Sequence, residues 1–220
     1  MFTIVFGGIA KIATGGMPKI LFYLSGLTIW NYFAECLSRT STIFISNAGI
    51  FGKVYFPRLI SPLAIVVSGL MRFGVQMLLF LFVWGYYLVQ QPELIHPSWL
   101  LLLFPLLVLL MAGYAISLGM IISSLTTKYR DLVQLISFGI TLFMYATPII
   151  YPVENVPERY KAFVLLNPLA PIVESFRYVF LGSGSFSIGG LLYSSILMVV
   201  LLFLGVIVFN KVERTFMDTV

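Results

Sequence analysis

The chain has 220 residues, of which 60% are hydrophobic and 10% are charged, and its formal net charge at pH 7 is +5. Soluble domains carry about 25% charged residues, so this composition excludes a soluble domain and predicts a polytopic membrane protein. The basic residues form no run, which favours a role in membrane orientation over nucleic-acid binding. The single cysteine, Cys36, excludes an internal disulfide and is predicted to be a packing residue.

Apolar runs of membrane length follow one another along the chain. A transmembrane helix needs about 20 mostly apolar residues. Five runs meet or approach this length, at residues 20–46, 59–90, 99–124, 133–150 and 188–210. Residues 1–10 are also apolar, but as a helix they would extend only about 15 Å. We therefore expect them to be the remnant of a first span that is completed upstream of Met1. The whole of 1–220 is predicted to form a single all-α transmembrane domain.

The orientation of the spans follows from the charges of their connections. Lys and Arg are denser in the short segments 47–58, 125–132 and 211–220 than in the connections on the opposite side. The positive-inside rule places the denser side in the cytoplasm. We therefore expect a cytoplasmic C-terminus and an external position for residues 151–187.

The first of these cytoplasmic connections reads SNAGIFGKVYFPRLISP, and it is short, basic and aromatic. Ser46 or Asn47 can cap a short helix, and Pro57 would end it. Such a helix across the membrane face can dock a partner protein. The alternative is a plain turn that Tyr55 and Phe56 anchor among the lipid headgroups. The spacing alone leaves both interpretations open.

Two of the spans carry residues that are unusual in a bilayer. Arg72 falls in the middle of the second full span, where an ion pair with Glu35 is the favoured interpretation because pairing satisfies an intramembrane charge. Glu35 is also four residues from Arg39, so these two side chains can pair along one helix. We expect a structural role for all three.

Aromatic residues form faces on two predicted spans. One face is on the first full span and the other is on the fourth, where two aromatic residues are seven positions apart. Such faces can stack sugar rings along a pathway, whereas ordinary packing is the commoner alternative. The candidate path residues are Tyr23, Trp30, Phe33, Phe138 and Tyr145.

The segment Tyr151–Phe180 is too charged to cross a bilayer and too apolar to be a solvated loop. Four prolines divide it, and short amphipathic helices are predicted around Pro157–Leu166 and Pro171–Phe180, each with a proline near its first turn. Irregular backbone survives at membrane depth only when it is buried in protein or lines a wet cavity. The segment is therefore predicted to be a re-entrant helix pair that guards a pathway. Interfacial helices that only anchor the protein are the alternative.

Motifs for chemistry are missing from the sequence. It contains no GxxxxGK[ST] phosphate loop, and its lone histidine, His96, has no second His or Cys to complete a metal set. We therefore expect no enzymatic activity, no metal and no cofactor in this chain. The energy for any driven transport would come from another chain or from an ion gradient.

Five motifs occur in order along essentially the whole chain: NAGIFGKVYFPRLISP, TTKYRDL, YATPIIYP, LNPLAPIVESFR and KVERTFMDTV. Together they resemble the membrane subunit of polysaccharide ABC exporters, within the ABC type 2 transporter class. That group includes the O-antigen, capsular and teichoic acid export permeases. The motifs are specific to the permease class and much less specific to the polymer.

The resemblance implies a homodimer of six-span permeases in the bacterial inner membrane, here with the first span truncated. Two ATP-binding cassette subunits would bind ATP and Mg²⁺, and the cargo would be an undecaprenyl-linked polysaccharide, with O-antigen expected first. The residues that would dock the ATPase are Asn47, Phe51, Lys53, Val54, Tyr55, Phe56 and Arg58. Those that would form the external gate are Tyr151, Pro152, Pro157, Leu165, Asn167, Pro168, Pro171, Val173 and Arg177.

Two other functions stay open at this point. A permease of the same class can export drugs or lipids instead of a polysaccharide. A membrane enzyme of polyprenyl-phosphate chemistry is a further alternative, although it would need loop carboxylates or a basic phosphate-binding cluster, and the loops offer little of either.

Overall fold

The computed structural model describes residues 16–47, 49, 57, 59–129 and 131–217, and over these residues it is all-helical, as predicted. The helices, numbered in chain order, are α1 (Lys19–Ser41), α2 (Ile43–Ser46), α3 (Ile60–Gln90), α4 (Phe104–Lys128), α5 (Leu132–Ala146), α6 (Glu158–Leu166), α7 (Ala170–Leu181) and α8 (Ile188–Met217). Short 3₁₀ turns lie at Pro92–Leu94, Trp99–Leu103 and Val153–Asn155. The predicted remnant at residues 1–10 lies outside the described residues.

Four helices within the described ranges are long and apolar enough to cross a membrane: α1, α3, α4 with the 3₁₀ turn before it, and α8. The number becomes five if α6 and α7 count as one broken span. The four long helices match four of the five predicted runs to within several residues at each end. Because the length of an apolar run is set by the bilayer rather than by neighbouring helices, the sequence predicts these elements well.

The predicted run 133–150 folds differently at its end. It forms the 15-residue α5, which stops at Ala146. Proline disfavours the α conformation in the residue before it, and Thr147, which precedes Pro148, is extended with φ −100° and ψ 141°. At about 22 Å, α5 is shorter than the roughly 30 Å hydrocarbon core and cannot cross it alone.

Helix α1 lies at the centre of the bundle, where it contacts α3, α4, α5 and α7. Small residues allow two of these close approaches. A Cβ on Gly119 of α4 would lie 2.6 Å from Thr40 Cβ, and a Cβ on Gly69 of α3 would lie 2.8 Å from Cys36 Sγ. Cys36 is fully buried, which confirms the predicted packing role.

Helices α1, α4 and α8 run in one direction and α3 runs in the opposite direction, so the bundle has two ends. At one end, Trp84 near the end of α3 donates from Nε1 to the carbonyl of Phe180 in α7 at 2.8 Å. At the other end, Thr126 near the end of α4 donates to the carbonyl of Ser41 at 2.8 Å. We call these the α7 end and the α2 end.

Candidate functional site

The helix pair α6 and α7 turns back on itself at the α7 end. Their axes differ by 95°, and their bounds match the two short helices predicted from the prolines. The turn between them contacts Ser194, the seventh residue of α8, so it lies about 9 Å along that helix from its start. The chain therefore enters and leaves this helix pair at the same end of the bundle.

Asn167 holds the turn in place. Its Nδ2 donates to the carbonyl of Ala146 at 3.2 Å and to Oγ1 of Thr147 at 2.9 Å, and its Oδ1 accepts from the backbone N–H of Leu169 at 3.0 Å. The Asn167 carbonyl accepts from the N–H of Ala170 at 3.1 Å. These bonds join the turn to the end of α5, whose last carbonyls have no helical partner.

Two side chains of α8 hold the same turn from the opposite side. The Tyr193 hydroxyl donates to the carbonyl of Leu166 at 3.0 Å, and Ser194 Oγ donates to the carbonyl of Pro168 at 2.6 Å. Polar groups of an irregular segment at membrane depth must be satisfied within the protein. Tyr193 and Ser194 satisfy two carbonyls of this turn in that way.

Arg177 of α7 is almost completely buried, with its side chain 1% exposed. Its Nη1 and Nη2 donate to the carbonyls of Pro148 and Ile149, each at 2.6 Å. Its guanidinium carbon lies 3.9 Å from the ring centroid of Phe22 in α1, a cation–π contact. Arg177 thus satisfies carbonyls that the proline break after α5 leaves without helical partners.

Glu174 neutralises this buried cation. Its Oε1 accepts from Arg177 Nη1 at 3.1 Å, and its Oε2 accepts from the backbone N–H of Ser185 at 3.2 Å. Gly184 has φ +102°, and a Cβ there would lie 2.9 Å from Glu174 Oε2. The backbone conformation and the close approach both require glycine at this position.

The two arms of the pair are held very differently. Helix α7 is buried over ten of its residues, and its last carbonyls accept from the N–H groups of His96 and Ser98 at 3.3 and 3.1 Å. Helix α6 buries only Val164, whereas Phe163 and Leu166 are 72% and 64% exposed. In this chain α7 belongs to the packed core, and α6 is an arm on its surface.

The predicted gate residues divide along the same line. Pro152, Asn167, Val173 and Arg177 are buried, and Tyr151 is half-buried with its hydroxyl donating to the carbonyl of Tyr145 at 3.1 Å. Of the other predicted gate residues, Pro168 and Pro171 are half-buried, and Pro157 and Leu165 are exposed. The sequence identified the segment but not which of its arms is anchored.

Similarity to known proteins identifies the family of this chain. The sequence profile of ABC-2 type transporters matches residues 1–181. The chain belongs to the ABC-2 type transporter family. It is 32% identical over 207 residues to the O-antigen export system permease protein RfbA of Klebsiella pneumoniae, covering 90% of this chain and 74% of that one. It is 27% identical to RfbA of Myxococcus xanthus, covering 74% and 62%, and 25% identical to the polysialic acid transport protein KpsM of Escherichia coli, covering 92% and 78%.

The docking residues predicted for this ABC-2 chain lie mostly outside the described residues. Phe51, Lys53, Val54, Tyr55, Phe56 and Arg58 are among those that are not described. Asn47 is half-buried, and it follows α2 with its N–H donating to the carbonyl of Ile43 at 3.1 Å. The docking assignment therefore stays a prediction.

The aromatic path predicted for this ABC-2 chain divides into two sets. Tyr23, Trp30 and Phe33 are at most 3% exposed, and the Phe143 ring lies 5.9 Å from the Trp30 ring and 6.1 Å from the Phe33 ring. Because neighbouring helices enclose α1, these three residues pack in the core and line no open surface of the chain. Phe138 and Tyr145 are 63% and 48% exposed, and the path prediction now depends on them.

The predicted ion pairs of Glu35 with Arg72 and Arg39 are both present. Glu35 Oε1 accepts from Nη1 of both Arg72 and Arg39. The Arg72 side chain is 68% exposed and that of Arg39 is 47% exposed, so the cluster lies on the surface of the chain. Within the described ranges, no three His, Cys, Asp or Glu side chains are grouped closely enough to hold a metal ion.

Proposed function

We propose that this chain is the permease subunit of an ATP-driven exporter that moves a lipid-linked polysaccharide, O-antigen first, across the bacterial inner membrane. The observation that carries the proposal is the 95° bend between α6 and α7, which we interpret as a re-entrant pair, in a chain with O-antigen export permeases among its relatives. A polymer path needs a wet exit that can close. Irregular backbone at membrane depth is tolerated where it lines such a cavity.

The working assembly is a homodimer of permeases with two ATP-binding cassette subunits. The ATPases bind ATP and Mg²⁺ and dock on Asn47–Arg58, while the permease holds no cofactor. Surfaces of α5 and α6 support a partner or lipid contact, because large apolar side chains there are more than half exposed: Leu135, Phe138, Leu142, Tyr160, Phe163, Leu165 and Leu166. An exposed apolar surface of this kind needs lipid or a second subunit to cover it.

The α2 end faces the cytoplasm and the α7 end faces outward. This orientation follows the density of Lys and Arg in the connections at the α2 end. It places the C-terminus in the cytoplasm and the re-entrant pair at the exit. In the transport cycle α7 stays fixed by Arg177 and Asn167, and α6 moves to open the exit.

Deleting the gene that encodes this chain is expected to remove nearly all surface polysaccharide and to leave lipid-linked glycan in the inner leaflet. The reason is that glycan synthesis continues on the cytoplasmic side while the export step is lost. Immunoblots of surface glycan and mass spectrometry of extracted lipid-linked glycan measure both effects. Restoration by the wild-type gene is the control. Normal surface glycan in the deletion strain would contradict the proposed function.

A cysteine at Leu165 on α6 is expected to react with an external polar thiol reagent several times faster during ATP-driven export than at rest. Leu165 is 53% exposed on the arm that moves, whereas Val173 on the anchored arm is fully buried. Val173→Cys should therefore stay unreactive in both states, and Ser187→Cys, at an exposed loop position, should react equally in both. Equal labelling of Leu165→Cys with and without the ATPase would leave α6 as a membrane anchor only.

A further inference from the structure

Polar residues share one face where α1 and α2 run antiparallel to α3. They follow the helical spacing i, i+4, i+7, i+11 on both sides of a cleft of about 590 Å³. The cleft itself is lined by Arg39, Thr42 and Ser46 on the first side and by Ser61, Ile65 and Ser68 on the α3 side. Glu35 and Arg72 continue the two rows by one helical turn beyond it. Asn31 and Gln76 continue the two rows by one further helical turn, with Asn31 exposed and Gln76 half-buried.

The polar face is too long to be an interfacial feature. From Ser46 to Asn31, and from Ser61 to Gln76, each row extends about 22 Å of the roughly 30 Å hydrocarbon core. Charged side chains at membrane depth face the interior of a bundle or a wet cavity rather than lipid. This polar face therefore needs water or polar partners along its length, and the cleft occupies the part of it nearest the α2 end.

The charges of this polar face do not balance. Arg39 and Arg72 share one carboxylate oxygen of Glu35, which leaves one net positive charge. A guanidinium offers five N–H donors, and among the described residues each of these two donates to Glu35 only. Both side chains are about half exposed or more, so donors remain available for an anion with planar or tetrahedral oxygens.

Exposed apolar side chains lie on the face of α3 that points away from α1, next to the polar row. Met71 and Val75 are 78% and 69% exposed there, whereas Gly69 and Phe73 pack against α1. A ligand that enters from this side meets an apolar surface first and then the arginines. That order matches a lipid with an anionic head.

We propose that this cleft binds the phosphate group of the lipid-linked glycan, with the lipid tail left in the membrane along Met71 and Val75. This proposal rests on the proposed export of a lipid-linked polysaccharide and assigns the entry subsite for its carrier. Glu35 holds Arg39 and Arg72 in place and competes with the phosphate for their donors. The Ser61 and Ser68 hydroxyls supply further polar contacts.

The test is equilibrium binding of labelled undecaprenyl phosphate to the full chain with its ATPase in nanodiscs. Arg72→Gln and Arg39→Gln are each expected to raise the Kd about tenfold, as loss of a charge-assisted hydrogen bond predicts. Glu35→Gln is expected to lower the Kd severalfold, because it removes the competing acceptor. A purely structural ion pair would make Glu35→Gln and Arg72→Gln similar in effect. Arg159→Gln, on the exposed surface of α6, is the matched control and should leave the Kd unchanged.

A second variant keeps every charge and every buried side chain. Ser68→Leu places an apolar side chain in the cleft at an exposed position and should raise the Kd without lowering the melting temperature. Unchanged affinity in both Ser68→Leu and Arg72→Gln would overturn the proposal.

Competition experiments decide which ligand the cleft recognises. Excess undecaprenol, which lacks the phosphate, should not displace the labelled lipid, and inorganic phosphate at equal concentration should not displace it either. Displacement by undecaprenol would show that the cleft does not recognise the phosphate. Displacement by inorganic phosphate would show that it does not recognise the lipid. Glycan export in cells judges the proposed function separately, since wild-type export can persist when the cleft assignment fails.

Discussion

Replacing Arg177 with methionine is expected to lower the free energy of unfolding by about 3–5 kcal/mol, because breaking a buried ion pair leaves the other charge without compensation. The partner left behind is Glu174, whose side chain is 4% exposed. The carbonyls of Pro148 and Ile149 lose their donors at the same time. We expect the variant to be poorly retained in the membrane, as measured by thermal denaturation of the purified protein and by its cellular abundance.

Two further variants test the explanation. The double variant Arg177→Met with Glu174→Gln removes both charges and should recover part of the lost stability, since no isolated charge remains buried. Arg159→Met removes an exposed arginine that lies over the Tyr160 ring at 5.9 Å, and it should change stability by no more than about 0.5 kcal/mol. Equal stability of Arg177→Met and Arg159→Met would mean that the Arg177 network does not hold α7 to α5.

Replacing Gly26 with alanine is expected to destabilise the protein by about 1–3 kcal/mol through overpacking. A Cβ at this position of α1 would lie 2.7 Å from Arg177 Nη2 and 3.1 Å from the carbonyl oxygen of Ile149. The guanidinium cannot move aside without giving up its two short hydrogen bonds. Thermal denaturation and export activity should both fall, because the displaced group anchors α7 at the proposed gate.

The control for this substitution is Gly74→Ala on α3, where a Cβ would meet nothing within 4 Å. Alanine has the higher helix propensity, so that variant should be more stable by up to about 1 kcal/mol. In an Arg177→Met background the cost of Gly26→Ala should shrink, since the clash partner is gone and the two effects are not additive. A cost of Gly26→Ala that is the same in both backgrounds would place the clash somewhere other than at Arg177.

Sequence alone determined the long helices and the two short helices α6 and α7. A membrane span depends on the length of an apolar run, which the bilayer sets, and the prolines at 157 and 171 mark helix starts whatever the neighbouring helices are. For this reason α6 and α7 fall within a residue or two of their predicted bounds. The ion pairs of Glu35 were also accessible, because spacing and the cost of unpaired charge in a membrane restrict the possible partners.

Only the tertiary structure decided which way each helix faces. Tyr23, Trp30 and Phe33 form a regular face in the sequence, yet α3, α4 and α5 enclose α1 and bury them, whereas Phe138 and Tyr145 remain exposed. The same spacing is compatible with either outcome, because periodicity describes a helix and not its neighbours.

The helix pair α6 and α7 shows the same division between sequence and structure. Glu174 and Arg177 could be paired from their spacing, but nothing in the sequence indicates that Arg177 reaches the carbonyls of Pro148 and Ile149, more than 25 residues earlier. Pro148 ends α5 earlier than the predicted run 133–150, and the fold supplies the donors for the carbonyls that follow. Hydrogen-bond partners across the bundle are set by helix packing, which is why the anchored arm α7 and the exposed arm α6 could be distinguished only in three dimensions.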